Sequence, residues 1–413
     1  MKDLLESTFR HALAETSPKR LVQQHLPDEK PSLVLAIGKA AIPMLQGALE
    51  KFPNTPYLVT PPSYAEPFSG HGECLAGTHP VPSEASNKAA ERALELASSL
   101  SENDSLLVLV SGGGSALWCA PWGITLGEKQ ALTQALLRSG ADINELNTVR
   151  KHVSKIKGGR LARATKAKVT ALLLSDVVGD DPAVIASGPT VADSSTFQAA
   201  RDVLNRDQLD STKVREYFEK GIRGEIPESP KPDNRIFARV ENKIIGSNRI
   251  LLEAAREYLK NQGHNAVILS DCFTGEAKEL AKFHATILQN IHQYNEPFQR
   301  PMVLLSGGEA TVTVKGHGKG GRNQEFALWL LNFLCDEKVW ALSAGSDGID
   351  GNSTAAGAFI TPNSWQRAKA KNLAVNEFLE NNDSNSFFRE LGDTLETGAT
   401  GHNLNDFRAI MLE

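Results

Sequence analysis

The sequence predicts an α/β protein of two domains built on open parallel sheets. Three observations predict it. The chain has 413 residues, more than one compact core usually organises. Short apolar runs stop abruptly in small or acidic residues, as buried strands do when they enter polar loops. Amphipathic helical patterns such as ASNKAAERALELASSL and NRILLEAAREYLKNQG separate those runs, and strand, loop and helix in alternation place ligands at the carboxyl ends of the strands.

Along the chain, MKDLLESTFRHALAETSPKR mixes apolar and charged residues at helical spacing. It lacks the unbroken apolar centre of a signal peptide, and no later run reaches the roughly 18 residues of a membrane span. The strand candidates are LVLAIGKA (33–40), SLLVLVSGGGSA (105–116), TALLLSDVVGDD (170–181), NAVILSD (265–271), PMVLLSGGE (301–309) and VWALSAGSDG (339–348). GEIPESPKPDNR (224–235), with three prolines in a polar stretch, is the best linker. It divides the chain into domains 1–230 and 236–413, the second opening on a strand pair, RIFARVEN and KIIGSNR. The last strand, 406–413, could pair back into the first domain.

Composition excludes several classes. A formal charge of −5 with no basic stripe argues against nucleic acid. The four cysteines, Cys74, Cys119, Cys272 and Cys335, are far apart with no CxxC pair, which argues against a disulfide framework and a zinc site. The expectation is a cytoplasmic protein with reduced thiols in or near the core. No GxSxG elbow marks a hydrolase, and no Gly-Lys pair is followed by Ser or Thr as in a P-loop.

Two glycine turns carry the candidate chemistry. Ser111, Gly112, Gly113, Gly114 and Ser115 end a strongly apolar strand, where backbone N–H groups can converge on an anion. Ser306, Gly307, Gly308 and Glu309 repeat the pattern in the second half, and two such turns suggest a ligand bridging the domains. A plain tight turn is the bland alternative for each. Lys39 ends the first strand, where an ammonium at a helix start implies an anionic neighbour. Arg322 follows the glycine-rich KGHGKGG, and its guanidinium could clamp a carboxylate or phosphate, with Asn323 after it a further candidate for holding substrate or phosphate. Among the acidic residues at strand ends, Asp176 and Asp347 are the better candidates for magnesium, which takes few carboxylates beside substrate phosphates. Asp180 and Asp181 read as turn formers, and His79 and His402 as either substrate contacts or structural histidines. Gly316, Gly318 and Gly321 satisfy GxGxxG and support a dinucleotide enzyme, although the preceding TVTVK alternates where a central strand should be apolar throughout.

At these motifs the chain resembles the glycerate 2-kinase family, the type with an N-terminal glycerate-kinase domain and a C-terminal MOFRL domain. The likeness rests on AIGKAA (36–41), GTHPVPSEAS (77–86), SGGGSAL (111–117), NTVRKHVSKIKGGRLA (147–162), LSDVVGDDPAVIASGPTVAD (174–193), GSNR (246–249), LSGGEATVTVKGHGKGGRNQEFAL (305–328) and SAGSDGIDGNSTAAGA (343–358). It implies a Rossmann-like αβα sandwich with a parallel sheet, then a smaller α/β domain with a mixed sheet. It also implies ATP-dependent phosphorylation of D-glycerate at its 2-hydroxyl with Mg2+ or another divalent cation, by a monomer or homodimer. Lys39 and Arg322 match the family's active-site lysine and arginine. TGATGHNLNDF departs from the usual TGPTGTNVNDL at Ala399 and His402. An NAD(P)H-dependent hydroxypyruvate reductase is the alternative activity, and a binding protein without catalysis is a more distant one.

Overall fold

The computed structural model describes residues 1–413 apart from 67, 208, 210, 211 and 336. Its first sheet contains β1 (Leu33–Ile37), β2 (Tyr57–Thr60), β3 (Glu73–Cys74), β4 (Ser105–Val110), β5 (Lys168–Leu174) and β6 (Val240–Gly246), in the order β3-β2-β1-β4-β5-β6. Every pairing from β3 through β5 is parallel. Alternate residues face opposite sides, and both sides are covered, which is why the central strands β1 and β4 are almost wholly apolar. Val34, Ala36, Leu107 and Leu109 pack with Met44, Leu45 and Ala48 of the helix Ala41–Lys51. Leu35, Ile37, Val108 and Val110 pack with Ala89, Ala90 and Ala93 of the helix Glu84–Ser98, whose small side chains let helix and sheet approach closely. The strand order reverses between β1 and β4, so the loops leaving those two strands flank the switch point where such sheets bind ligands.

The second sheet contains β7 (Ala266–Glu276), β8 (Met302–Thr311), β9 (Trp340–Gly345), β10 (Gly357–Ile360), β11 (Thr394–Leu395) and β12 (Asp406–Leu412), in the order β11-β10-β9-β12-β8-β7. Only β7 and β8 run parallel, and the sheet is mixed, with β12 antiparallel to both its neighbours. Phe407, Ala409 and Met411 face one core, and Ile410 and Leu412 the other. Among the described residues no helix is long and apolar enough to cross a membrane.

The domain boundaries differ from the sequence reading. The chain divides into one compact unit of Pro18–Ile245 and another of Met1–Ser17 with Gly246–Glu413. The proline-rich stretch is not the boundary: RIFAR after it is a 3-10 turn (Arg235–Arg239), and VENKIIG is the edge strand β6 of the first sheet. The first helix, Lys2–Glu15, belongs to the second sheet's unit because Leu5, Phe9, Ala12 and Leu13 supply an apolar cover for that sheet's face. The Phe9 and Phe407 rings lie 5.1 Å apart. The last strand likewise does not pair back into the first sheet. It is buried throughout and fills the gap between β8 and β9, hydrogen-bonded on both edges.

Candidate active site

In the Pro18–Ile245 unit the loops leaving β1 and β4 are tied together. The Lys39 N–H donates to Gly112 O at 2.9 Å. Ser111 is buried; its Oγ donates to Ile37 O at 3.2 Å and accepts from Ala40 N–H at 3.0 Å. It is a strut between strands and makes no open contact. Gly113 is left-handed (φ 84°) and caps a single helical turn, Gly114–Leu117. A Cβ there would meet His79 Cδ2 at 3.1 Å and Lys39 Cγ at 3.4 Å, and one on Gly112 would overlap the Asp176 carboxylate. The sequence candidates Lys39, His79, the triple glycine and Asp176 are therefore neighbours. Lys39 is exposed, while burial, then the Lys39 charge, lowers the pKa of His79.

Ser115 is half-buried and its hydroxyl lies 2.6 Å from Ser187 Oγ. Ser187 donates its one hydrogen to Asn147 Oδ1 at 2.8 Å, so Ser115 must be the donor to Ser187. With its proton so engaged, Ser115 faces a ligand as an acceptor. A cavity of about 250 Å³ adjoins these groups, lined by His79, Gly113, Ser115, Asn147 and Asp176. Three cations that sequence reasoning passed over, Lys129, Arg150 and Lys157, line it too. The signal for Arg150 and Lys157 was charge inside NTVRKHVSKIKGG, and for Lys129 charge inside the helical LGEKQALTQALLRS; both read equally well as solvated helix faces.

In the other unit the second glycine turn is not a turn. Ser306, Gly307, Gly308 and Glu309 lie inside β8, paired with β12 on one side and β7 on the other. Gly307 is there because a Cβ would overlap the Asn248 side chain. Gly308 (φ 118°) is there because a Cβ would run into the Phe273 backbone at an irregularity of β7. Ser306 is buried with its Oγ 2.9 Å from His284 Nε2, so the expected anion nest is a sheet interior. Glu309 lines a cavity.

That cavity, about 530 Å³, is also lined by Arg322, Asn323, Glu325, Asp347 and Asp350. Arg322 opens the helix Arg322–Leu334 and is held by two carboxylates: Nε donates to Asp406 Oδ1 at 2.7 Å and an Nη to Glu309 Oε1 at 2.8 Å. Burial opposes its charge, but Asp406 and then Glu309 outweigh burial and hold the guanidinium above its ordinary pKa. Asp406 is fully buried and also accepts from Asn323 Nδ2, Ala310 N–H and Arg408. Asn323 was expected to hold phosphate; its Nδ2 donates to Asp350 and Asp406 and its Oδ1 accepts from Ser343, so it braces Arg322 instead. Asp347 Oδ1 accepts from Ile349 N–H at 3.2 Å beside the same cavity.

The GxGxxG stretch precedes this helix as an irregular loop. Its N–H groups are already taken: Gly316 and Lys315 donate to Asn382 Oδ1, His317 to Asn381 Oδ1, Gly318 to Asn381 O, Lys319 to Asp383 Oδ1 and Gly320 to Asn352 Oδ1. A pyrophosphate would find few free donors there. His402 is buried with neither ring nitrogen bonded, and burial lowers its pKa to about 4, which leaves it neutral and inside the fold. Among the described residues no three His, Cys, Asp or Glu side chains cluster as a metal cage would require.

Two family models match: a domain of unknown function, DUF4147, over residues 4–219, and the MOFRL family over residues 302–406. A D-glycerate 2-kinase from Thermotoga maritima is 40% identical across 98% of this chain and 97% of its own length. A relative from Agrobacterium vitis named, provisionally, as a hydroxypyruvate reductase is 39% identical across 100% of this chain and 94% of its own. The crystal structure of a Thermotoga maritima glycerate kinase superposes with a TM-score of 0.93 at 38% identity, covering 100% of this chain and 99% of that one.

Proposed function

The chain belongs to the glycerate 2-kinase family, and from that membership we propose that it transfers the γ-phosphoryl group of ATP to the 2-hydroxyl of D-glycerate, releasing 2-phosphoglycerate and ADP. The observation that carries this reading is the end-to-end likeness to a D-glycerate 2-kinase, which spans both compact units. The site chemistry supports it. Phosphoryl transfer needs in-line positioning and neutralisation of spreading charge more than covalent chemistry. Lys39, exposed beside His79 and Gly113, is assigned to the reacting oxygen. Arg322, preset by Asp406 and Glu309, is assigned to the transferred phosphoryl group.

Each cavity is lined by a carboxylate that could meet a cation with the nucleotide, Asp176 in one and Asp347 in the other. Sites of that kind suit magnesium, which keeps most of its water and binds through one or two carboxylates and substrate phosphates. When bound, the ion neutralises charge on the phosphate oxygens; Asp176 or Asp347 would hold it. We place the enzyme in the cytoplasm, whose reducing medium suits four widely spaced cysteines with no CxxC pair, acting as a monomer or homodimer on small anions.

The reductase name of one relative makes a direct comparison worthwhile. Purified protein given D-glycerate, ATP and magnesium should release ADP and 2-phosphoglycerate, with the phosphate position read by NMR. Given hydroxypyruvate and NADH or NADPH it should leave the cofactor unoxidised. Cofactor oxidation without ADP release would replace the kinase by the reductase.

A further inference from the structure

The cavity of about 250 Å³ holds more positive charge than the assignments above use. Lys129, Arg150 and Lys157 line it against one carboxylate among the described residues, Asp176. Two of the three cations are anchored to main chain. Lys129 donates to Val153 O at 3.1 Å, and Lys157 to Ser115 O and Trp118 O at 2.8 and 2.9 Å. Arg150 is the exception: among the described residues no carboxylate or carbonyl pairs with its guanidinium, although it is mostly buried and its pKa is lowered, chiefly by that burial. A buried, unmatched guanidinium calls for an anion.

A second observation comes from the same helix, Ile143–His152. Asn147 precedes Arg150 by one turn, so the two share a helix face. It is 3% exposed and lines the cavity, its Oδ1 is fixed by the Ser187 hydroxyl, and its Nδ2 has no partner. An unmade bond of that kind destabilises the empty protein, and a ligand acceptor would complete it. Size narrows the ligand. The cavity falls below the roughly 300–1,000 Å³ that suits drug-sized molecules, so a compact acid of a few heavy atoms fits better than a nucleoside triphosphate.

We infer that Asn147 and Arg150 form a carboxylate-recognition pair in the Pro18–Ile245 unit, with Lys129 and Lys157 supplying a background positive field. The identity of the acid as D-glycerate rests on the kinase reading; the carboxylate chemistry does not. Gly113 and His79, neighbours of Lys39, line the same cavity, so the recognition pair lies in a space whose wall adjoins the proposed catalytic lysine.

The test is calorimetric binding of D-glycerate to the nucleotide-free full chain, together with steady-state kinetics. Arg150→Gln should weaken D-glycerate binding and raise its KM by about 10- to 100-fold, the range of a lost charge-assisted hydrogen bond, with the KM for ATP and the melting temperature unchanged. Arg150→Lys should fall between, keeping the charge and losing the fork. Asn147→Asp should weaken binding by placing a like charge against the carboxylate. Unchanged D-glycerate affinity in both Arg150 variants would overturn the proposal. So would inorganic phosphate binding that depends on Arg150 when D-glycerate does not bind. If the unaltered chain binds D-glycerate through Arg150 yet releases no ADP, the kinase reading fails and the carboxylate site stands. If D-glycerate is phosphorylated with a KM indifferent to Arg150, the reverse holds.

Discussion

Lys39 could be picked out from sequence because its position at a strand end is a local property, and the geometry adds its neighbours, His79 and Gly113. Lys39→Ala is expected to lower kcat by about 10²- to 10³-fold, the scale of losing one preorganised electrostatic contact, without altering the circular dichroism spectrum. Near-normal turnover would remove it from the catalytic residues. Two buried groups in the other unit predict opposite responses to pH. Burial, opposed by hydrogen bonds from Trp329 and Asn382 and assisted by Asp350 and Glu276, raises Glu325 to about 7. Between its unfolded value of about 4.3 and that value the folded state binds more protons, so stability falls as pH rises through the window. Glu325→Gln should flatten that fall in melting temperatures taken at intervals across the window; parallel curves would show that Glu325 is not responsible. His402, lowered to about 4 by burial, binds fewer protons folded than unfolded below about 6.5, so its contribution is lost as pH falls toward 4. His402→Thr should keep more of its stability across that acid window than the unaltered chain. None of these environments was legible in sequence, because burial is produced by residues remote in the chain.

At the scale of elements, the two SGG segments show why local pattern misleads. Both follow an apolar run, and both contain glycines flanked by serine. After β4 the chain turns at Gly113, whereas β8 continues to Thr311 because β7 and β12 pair with it on both sides. Glycine serves turning in the first case and close approach of a neighbour in the second. Gly308→Ala would combine a left-handed backbone with overlap against Phe273, and is expected to destabilise the fold by about 2–5 kcal/mol. Urea unfolding would measure it, and a loss below about 1 kcal/mol would show that β7 yields easily. A sequence window cannot distinguish the two cases, since the pairing partners of β8 lie about a hundred residues downstream and some thirty-five upstream.

At the scale of the molecule, the chain begins in the unit where it also ends. Removing residues 1–17 should therefore expose Phe407 and Leu251 and raise amide exchange in residues 246–413, leaving residues 18–245 protected; Phe9→Ala alone should cost about 3–5 kcal/mol in unfolding of that unit. Faster exchange confined to residues 18–245 would contradict the assignment of the first helix. Sequence by itself determined the fold class, most strand positions, the absence of a P-loop and the candidates Lys39 and Arg322. Each of these is written in short windows of hydrophobicity, turn chemistry or motif order. Tertiary structure alone decided where the units divide, that β12 lies between β8 and β9, that Ser115 and Asn323 are engaged internally, and that Lys129, Arg150 and Lys157 meet at one cavity. Those outcomes depend on which distant segments compete for the same apolar face or hydrogen bond, and that competition is settled only when the whole chain packs.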